Sequence, residues 1–215
     1  MPAIEQVWKD GIALLRADLR EWLRRVADDA GWAPWRFELG FGLQPREQQD
    51  PSSVTTPVPL VHGLQLRGSI DLVELSAKGT LRATDYKTGR ARAKPGNVVG
   101  GGRHLQPALY ALVLEQLLPG HPVEAGRLSY LTQLGGFTNV STPLDARARE
   151  AMGQVILTIR TALEQGFFPA LPADGECRWC DYSPVCGPDE ERRARQTKKT
   201  IRKEVEPLMA LRRLP

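Results

Sequence analysis

The sequence predicts a mixed α/β fold, a central sheet flanked by helices. Two observations carry this. Apolar residues recur at helical spacing in three separate segments, and alternating segments of strand period lie between them, in the order helix, three strands, helix, strands, helix. With 215 residues the chain is long enough to bury one substantial core, with room for an appendage.

The first helix is marked by Ile4, Val7, Trp8, Ile12, Leu15, Leu19, Trp22, Leu23 and Val26, and Gly31 is a natural stop. Trp35, Phe37, Leu39 and Phe41 then alternate with Arg36, Glu38 and Gly40, the period of a half-buried strand with Glu38 on its other face. Residues 44–57 are polar and proline-rich, a loop. Two further strands, about 64–75 and 80–88, meet at a tight turn over Ala77-Lys78-Gly79. The segment 90–103 carries Arg90, Arg92, Lys94 and Arg103 among four glycines and reads as a mobile loop over a site. A helix over 105–118 follows, then strands at 127–134 and 137–140 about Gly135-Gly136. A last core helix over 146–165 runs through Met152, Val155, Ile156, Ile159 and Leu163 and ends at Gly166.

Composition narrows the function classes. Apolar residues make up 41% of the chain and mean hydropathy is −0.33, values of a globular rather than a disordered protein. No apolar run is long enough to span a bilayer, and the first residues lack the layout of a signal peptide, so the expected location is cytoplasmic, with no membrane partner. The net charge of +4 resides in residues 189–215, where nine Lys/Arg stand against five Asp/Glu. Such a tail suits a polyanion through sequence-independent phosphate contacts, or else docks as a helix through Ile201, Val205, Leu208 and Leu211.

The chemistry concentrates on the hairpin. If its strands pair about Lys78, Asp71 lies opposite Asp85, each seven residues from the centre. Directly opposed carboxylates destabilise a hairpin unless something positive sits between them, and a divalent cation such as Mg²⁺ or Mn²⁺ is the economical answer. Lys87, two residues beyond Asp85, projects to the same face. Two carboxylates, a cation and a lysine fit phosphodiester hydrolysis; the alternative is a surface Asp85–Lys87 ion pair beside an unrelated Asp71.

Gly68-Ser69-Ile70-Asp71, then Asp85-Tyr86-Lys87-Thr88-Gly89, then Gln106-x-x-x-Tyr110 resemble the RecB-like branch of the PD-(D/E)XK nucleases. The resemblance implies a restriction-endonuclease-like sheet and DNA cleavage. It places the metal on Asp71, Asp85 and the backbone carbonyl of Tyr86, makes Lys87 catalytic, and completes the site with Gln106 and Tyr110, otherwise one solvated and one packed helix residue. Glu38 resembles an auxiliary or structural acid of the same family.

Cys177-x2-Cys180-x5-Cys186 gathers all three cysteines of the chain. An odd, clustered set favours metal or cluster ligation over disulfides. The spacing is similar to the C-terminal part of the iron-sulfur site of AddB-type nucleases, implying a [4Fe-4S] cluster whose fourth cysteine is missing from this chain. Zinc and idle thiols are the alternatives. The family's Gly-x-x-x-His of an N-terminal helix is also missing; His62, His104 and His121 do not match it. Both gaps imply the C-terminal part of a longer nuclease, or of a RecB-family exonuclease or helicase-nuclease subunit in DNA repair, with DNA, a helicase subunit or upstream polypeptide as partners. The rival is a non-catalytic DNA-binding module. The expected organisation is an N-terminal helix (1–34), a nuclease core (35–170), a cysteine segment (171–188) and a basic tail (189–215).

Overall fold

A computed structural model describes residues 4–215. Helix α1 (Glu5–Asp28) leads into a five-stranded sheet of β1 (Trp32–Phe41), β4 (Gly68–Ser76), β5 (Leu81–Lys87), β6 (Val123–Tyr130) and β7 (Asn139–Pro143), in the order β1-β4-β5-β6-β7. A two-stranded ribbon, β2 (Val58–Pro59) and β3 (Gln65–Leu66), stands apart. Only β5 and β6 are parallel. Parallel neighbours need a long crossover, and here it carries helix α2 (Gln106–Leu117). Helix α3 (Ala146–Gln165) is capped by the Asp145 carboxylate, which accepts from the Ala148 amide, and by Gly166 in the left-handed region. Short α4 (Ser183–Cys186) precedes α5 (Glu190–Thr200) and α6 (Arg202–Leu211).

The core lies between the sheet and the pair α2, α3. Leu39, Ile70, Val73 and Leu81 meet Val113, Leu114, Met152 and Ile156, all at most 1% exposed. Each such side chain contributes about 1.5–3 kcal/mol by leaving water. Among the described residues no helix is long and apolar enough to cross a membrane.

Several expectations are corrected. The first strand begins at Trp32, so a boundary at residue 34 would cut it; Pro34 is tolerated because β1 is an edge strand. Its alternation fails at Phe37, which is 56% exposed, because the register shifts between Pro34 and Arg36 and Glu38 adopts a positive φ of 52°. The strand read as 127–134 is Val123–Tyr130, and the next runs over Asn139–Pro143, with a short 3₁₀ turn between. Gly126 broke the apolar pattern there, although it lies within the strand. Helix α1 buries none of its residues. The loop 90–103 is anchored rather than mobile: Ala93, Val98 and Val99 are buried, the Tyr130 hydroxyl accepts from the Arg92 and Ala93 amides at 3.4 Å, and the Thr142 hydroxyl donates to the Asn97 carbonyl. The tail docks: Val205 is 1% exposed, and Leu211 and Leu214 pack against the core.

Candidate active site

The hairpin ladder pairs Leu72 with Thr84, Val73 with Ala83, Glu74 with Arg82 and Leu75 with Leu81, the register centred on Lys78. Asp71 and Asp85 are the next positions outward. Asp85 is 4% exposed, and burial raises its pKa; the Lys87 ammonium opposes that rise, and the Asp71 charge adds to it. Its Oδ1 accepts a 3.0 Å hydrogen bond from the Gln106 side-chain amide, at the first position of α2. Its Oδ2 is buried and faces the Lys87 ammonium, whose Nζ stands 2.6 Å away. Asp71 Oδ2 accepts from the Tyr86 amide at 2.8 Å.

Asp71, Asp85, Lys87 and Gln106 therefore converge. Tyr110 joins them: it is half-buried edge-on to Phe41 at 6.4 Å, and its phenol is pushed up by burial, with the Asp85 and Asp71 charges among the further causes. Tyr86 is tied to the site by its backbone N–H, which donates to Asp71. Its ring turns to the other face, edge-on to Trp22 of α1 at 5.7 Å, and burial pushes its phenol to about 12. Glu38 sits apart, exposed at the sheet edge, accepting a 3.3 Å bond from the Ser69 hydroxyl.

The donor set fits a divalent cation: two neighbouring carboxylates, one of them buried, beside a half-exposed lysine. Among the described residues, no three side chains of His, Cys, Asp and Glu form a metal-ligating group. His62 lies in a short 3₁₀ turn (Val61–Gly63), His104 at the end of the glycine loop, and His121 against Trp35 with its Nδ1 at the Gly79 carbonyl.

Comparison with protein families matches residues 2–187 to the PD-(D/E)XK nuclease superfamily. The chain belongs to that superfamily. It is also 33% identical over 173 residues to a CRISPR-associated exonuclease Cas4/endonuclease Cas1 fusion of Myxococcus xanthus (strain DK1622), an alignment covering 78% of this chain and 28% of that protein.

In this PD-(D/E)XK domain the cysteines lie on consecutive turns, a 3₁₀ turn (Cys177–Trp179) and then α4. Cys177 is buried, Cys180 and Cys186 are exposed, and all three are free. Burial raises the Cys177 pKa first, then the charges of Glu191, Glu190 and the other two cysteines. The other two thiols thus stand within electrostatic reach of Cys177, although the three do not form a metal-ligating group as arranged here.

Sequence reasoning missed two features. One is Gly126: a Cβ there would collide with the Pro107 carbonyl, so this glycine is what lets α2 sit on β6 with Gln106 at Asp85. The other lies on the far face of the sheet. Glu74 receives both Arg82 Nε and Nη2 at 2.9 Å, Arg127 Nη2 at 2.8 Å and the Thr84 hydroxyl, and Arg127 Nε reaches Thr84 at 3.0 Å. Asp29, at the end of α1, bridges the two arginines at 3.1 and 3.3 Å. Charges of both signs at alternate positions of neighbouring strands were the available signal.

Proposed function

We propose that the chain is a metal-dependent deoxyribonuclease that hydrolyses phosphodiester bonds and acts on DNA ends as an exonuclease. The buried Asp85 carboxylate, paired with Lys87 at 2.6 Å and opposite Asp71 in the hairpin register, carries this reading. Asp71 and Asp85 would hold Mg²⁺ or Mn²⁺, with the Tyr86 carbonyl as a further donor. Such an ion supplies Lewis acidity toward a phosphoryl oxygen and toward the attacking water. Gln106 fixes the Asp85 carboxylate through Oδ1, and Oδ2, which Lys87 approaches, is the oxygen that would turn to the ion. The Lys87 ammonium orients the water and balances the negative charge that grows on the phosphoryl group as the P–O bond breaks. Tyr110 bounds the site beside Gln106, and Glu38 is an auxiliary acid at its margin.

The exonuclease assignment takes support from the printed name of the Myxococcus xanthus relative, and so does a CRISPR-associated setting. A place in a RecB-family helicase-nuclease is the competing setting. For the cysteine segment we propose a metal centre held by Cys177, Cys180 and Cys186, an iron-sulfur cluster before zinc, with its fourth ligand supplied from outside these three. Anaerobically purified protein should be brown and contain iron and sulfide; colourless protein with stoichiometric zinc would replace the cluster by a zinc site.

The test of the activity is incubation of the full chain with linear, end-blocked linear and circular DNA, in Mg²⁺, Mn²⁺ or EDTA. Linear DNA with free ends should be degraded in either metal and spared in EDTA. Equal cleavage of circles makes the protein an endonuclease, and cleavage in EDTA overturns the metal-dependent reading.

A further inference from the structure

Three cations on the strand-to-helix connection have no ion-pair partner among the described residues: Arg90, Arg92 and Lys94, all exposed. Unpaired exposed cations on a flexible loop would mean little. This segment is held: Ala93, between two of them, is buried with Leu128, Tyr130 and Val140, and Tyr130 accepts from the amides of residues 92 and 93. With Ala93 fixed inward, its neighbours Arg92 and Lys94 are left in solvent.

The connection starts three residues beyond Lys87 and ends three before Gln106, which ties its two ends to the strand and the helix that carry the carboxylate site. Between them it borders an open cleft of about 1010 Å³, whose lining includes Pro95, Gly101, Arg103, Arg147 and Arg212. Glu176 is the one acidic side chain there, and it is taken by Arg103 at 2.9 Å. Arg147, on the first turn of α3, is exposed and has no ion pair among the described residues. The cleft is also rigid. A carboxylate oxygen of Pro215 accepts from the Val99 and Gly100 amides at 2.6 and 3.0 Å, and the Leu214 carbonyl from Gly101 at 3.0 Å, so these amides partly offset the one further negative group in the lining. No aromatic side chain lines it, so base stacking has no platform and the recognised group is the sugar-phosphate backbone.

We propose that Arg90, Arg92 and Lys94, continuing into the cleft at Arg147, form a sequence-independent track for the phosphodiester backbone of the DNA strand that enters the carboxylate site. The track rests on the nuclease reading above and deepens it. It also differs in kind from the C-terminal cations, several of which are neutralised within their own segment, as in Arg192–Asp189, Arg195–Glu191 and Arg213–Glu206.

The experiment measures binding of fluorescein-labelled dT20 to the full chain in EDTA across a salt series, followed by cleavage in Mg²⁺. The triple variant Arg92→Gln, Lys94→Gln, Arg147→Gln is compared with a control of equal charge loss on α1, Lys9→Gln, Arg16→Gln, Arg20→Gln. The track variant should bind about tenfold or more weakly, and its salt slope should flatten by roughly 0.7 for each phosphate contact removed. Its cleavage at subsaturating DNA in Mg²⁺ should fall in step with the lost affinity. Equal weakening in both variants, or none in the track variant, overturns the track and leaves the nuclease reading standing. Absence of both binding and cleavage in the unmodified protein overturns both. Photocrosslinking of the unmodified chain to dT20 carrying 4-thiothymidine needs no variant: crosslinks should fall in 90–103, and crosslinks confined to α1 overturn the proposal.

Discussion

The two faces of the β4–β5 hairpin are built from alternate residues of the same strands, and they treat buried charge in opposite ways. On one face Glu74, Arg82, Thr84 and Arg127 are each under 9% exposed, and Glu74 has a donor on both oxygens. On the other, Asp85 is equally buried, but one of its oxygens meets only the Lys87 ammonium, which stays 35% exposed beside it. A closed network of charges holds strands together. An open one costs stability and is kept where a ligand or a reaction completes it. Burial by itself does not separate the two roles; saturation of the hydrogen bonds does.

The largest effect that would break this contrast is catalytic. Asp85→Ala and Lys87→Ala should each lower the DNA cleavage rate by about 100-fold or more, while the melting temperature shifts little, because Lys87 can turn to solvent when its partner is gone. Near-normal cleavage by both variants would remove this face from the chemistry. The opposite pattern is expected at Glu74→Ala, which leaves Arg82 and Arg127 buried without their shared carboxylate. Breaking such a pair costs about 3–5 kcal/mol, to be read from denaturant unfolding. A loss below about 1 kcal/mol would mean that water reaches the network.

Gln106→Leu sharpens the contrast. It removes the one hydrogen bond that aims Asp85 while keeping the bulk of α2's first turn, so activity should fall by roughly tenfold with stability within about 1 kcal/mol. Gln106→Glu should be worse, since it sets a second carboxylate against Asp85. The smallest effect concerns α1, which reaches the closed face through Asp29 and Trp22. Glu21 is held at about 2 by hydrogen bonds from Arg24 and Arg25. Its folded pKa lies below the ordinary 4.5, so its helical contribution is complete above that pH and is lost as pH falls toward about 2. Amide exchange in α1 should accelerate across that window, and Glu21→Gln should abolish the pH dependence.

The hairpin register, the convergence of Asp71, Asp85 and Lys87, and the two helices that cover the core were legible in the sequence. They follow from local rules: side-chain alternation, a tight turn that fixes the pairing, and apolar spacing. Gln106 was reachable only through its resemblance to a motif, since a glutamine at the start of a helix has no pattern that names its partner. What decided its contact is the absence of a Cβ at Gly126, two strands away from Asp71.

Other features were settled by tertiary contact alone. A segment with four glycines and four cations reads as flexible, because composition reports the freedom of the isolated chain. It is fixed here by a tyrosine hydroxyl from β6 and by backbone oxygens of the C-terminal residues, which lie more than a hundred positions away. The tail reads equally as a phosphate-binding segment and as a docking helix through Val205 and Leu211, and only the burial of those two residues chose between them. Sequence by itself determined which residues carry charge and at what local period. Which of those charges are answered by a partner, and which are left without one, was decided by long-range contacts that no local pattern specifies.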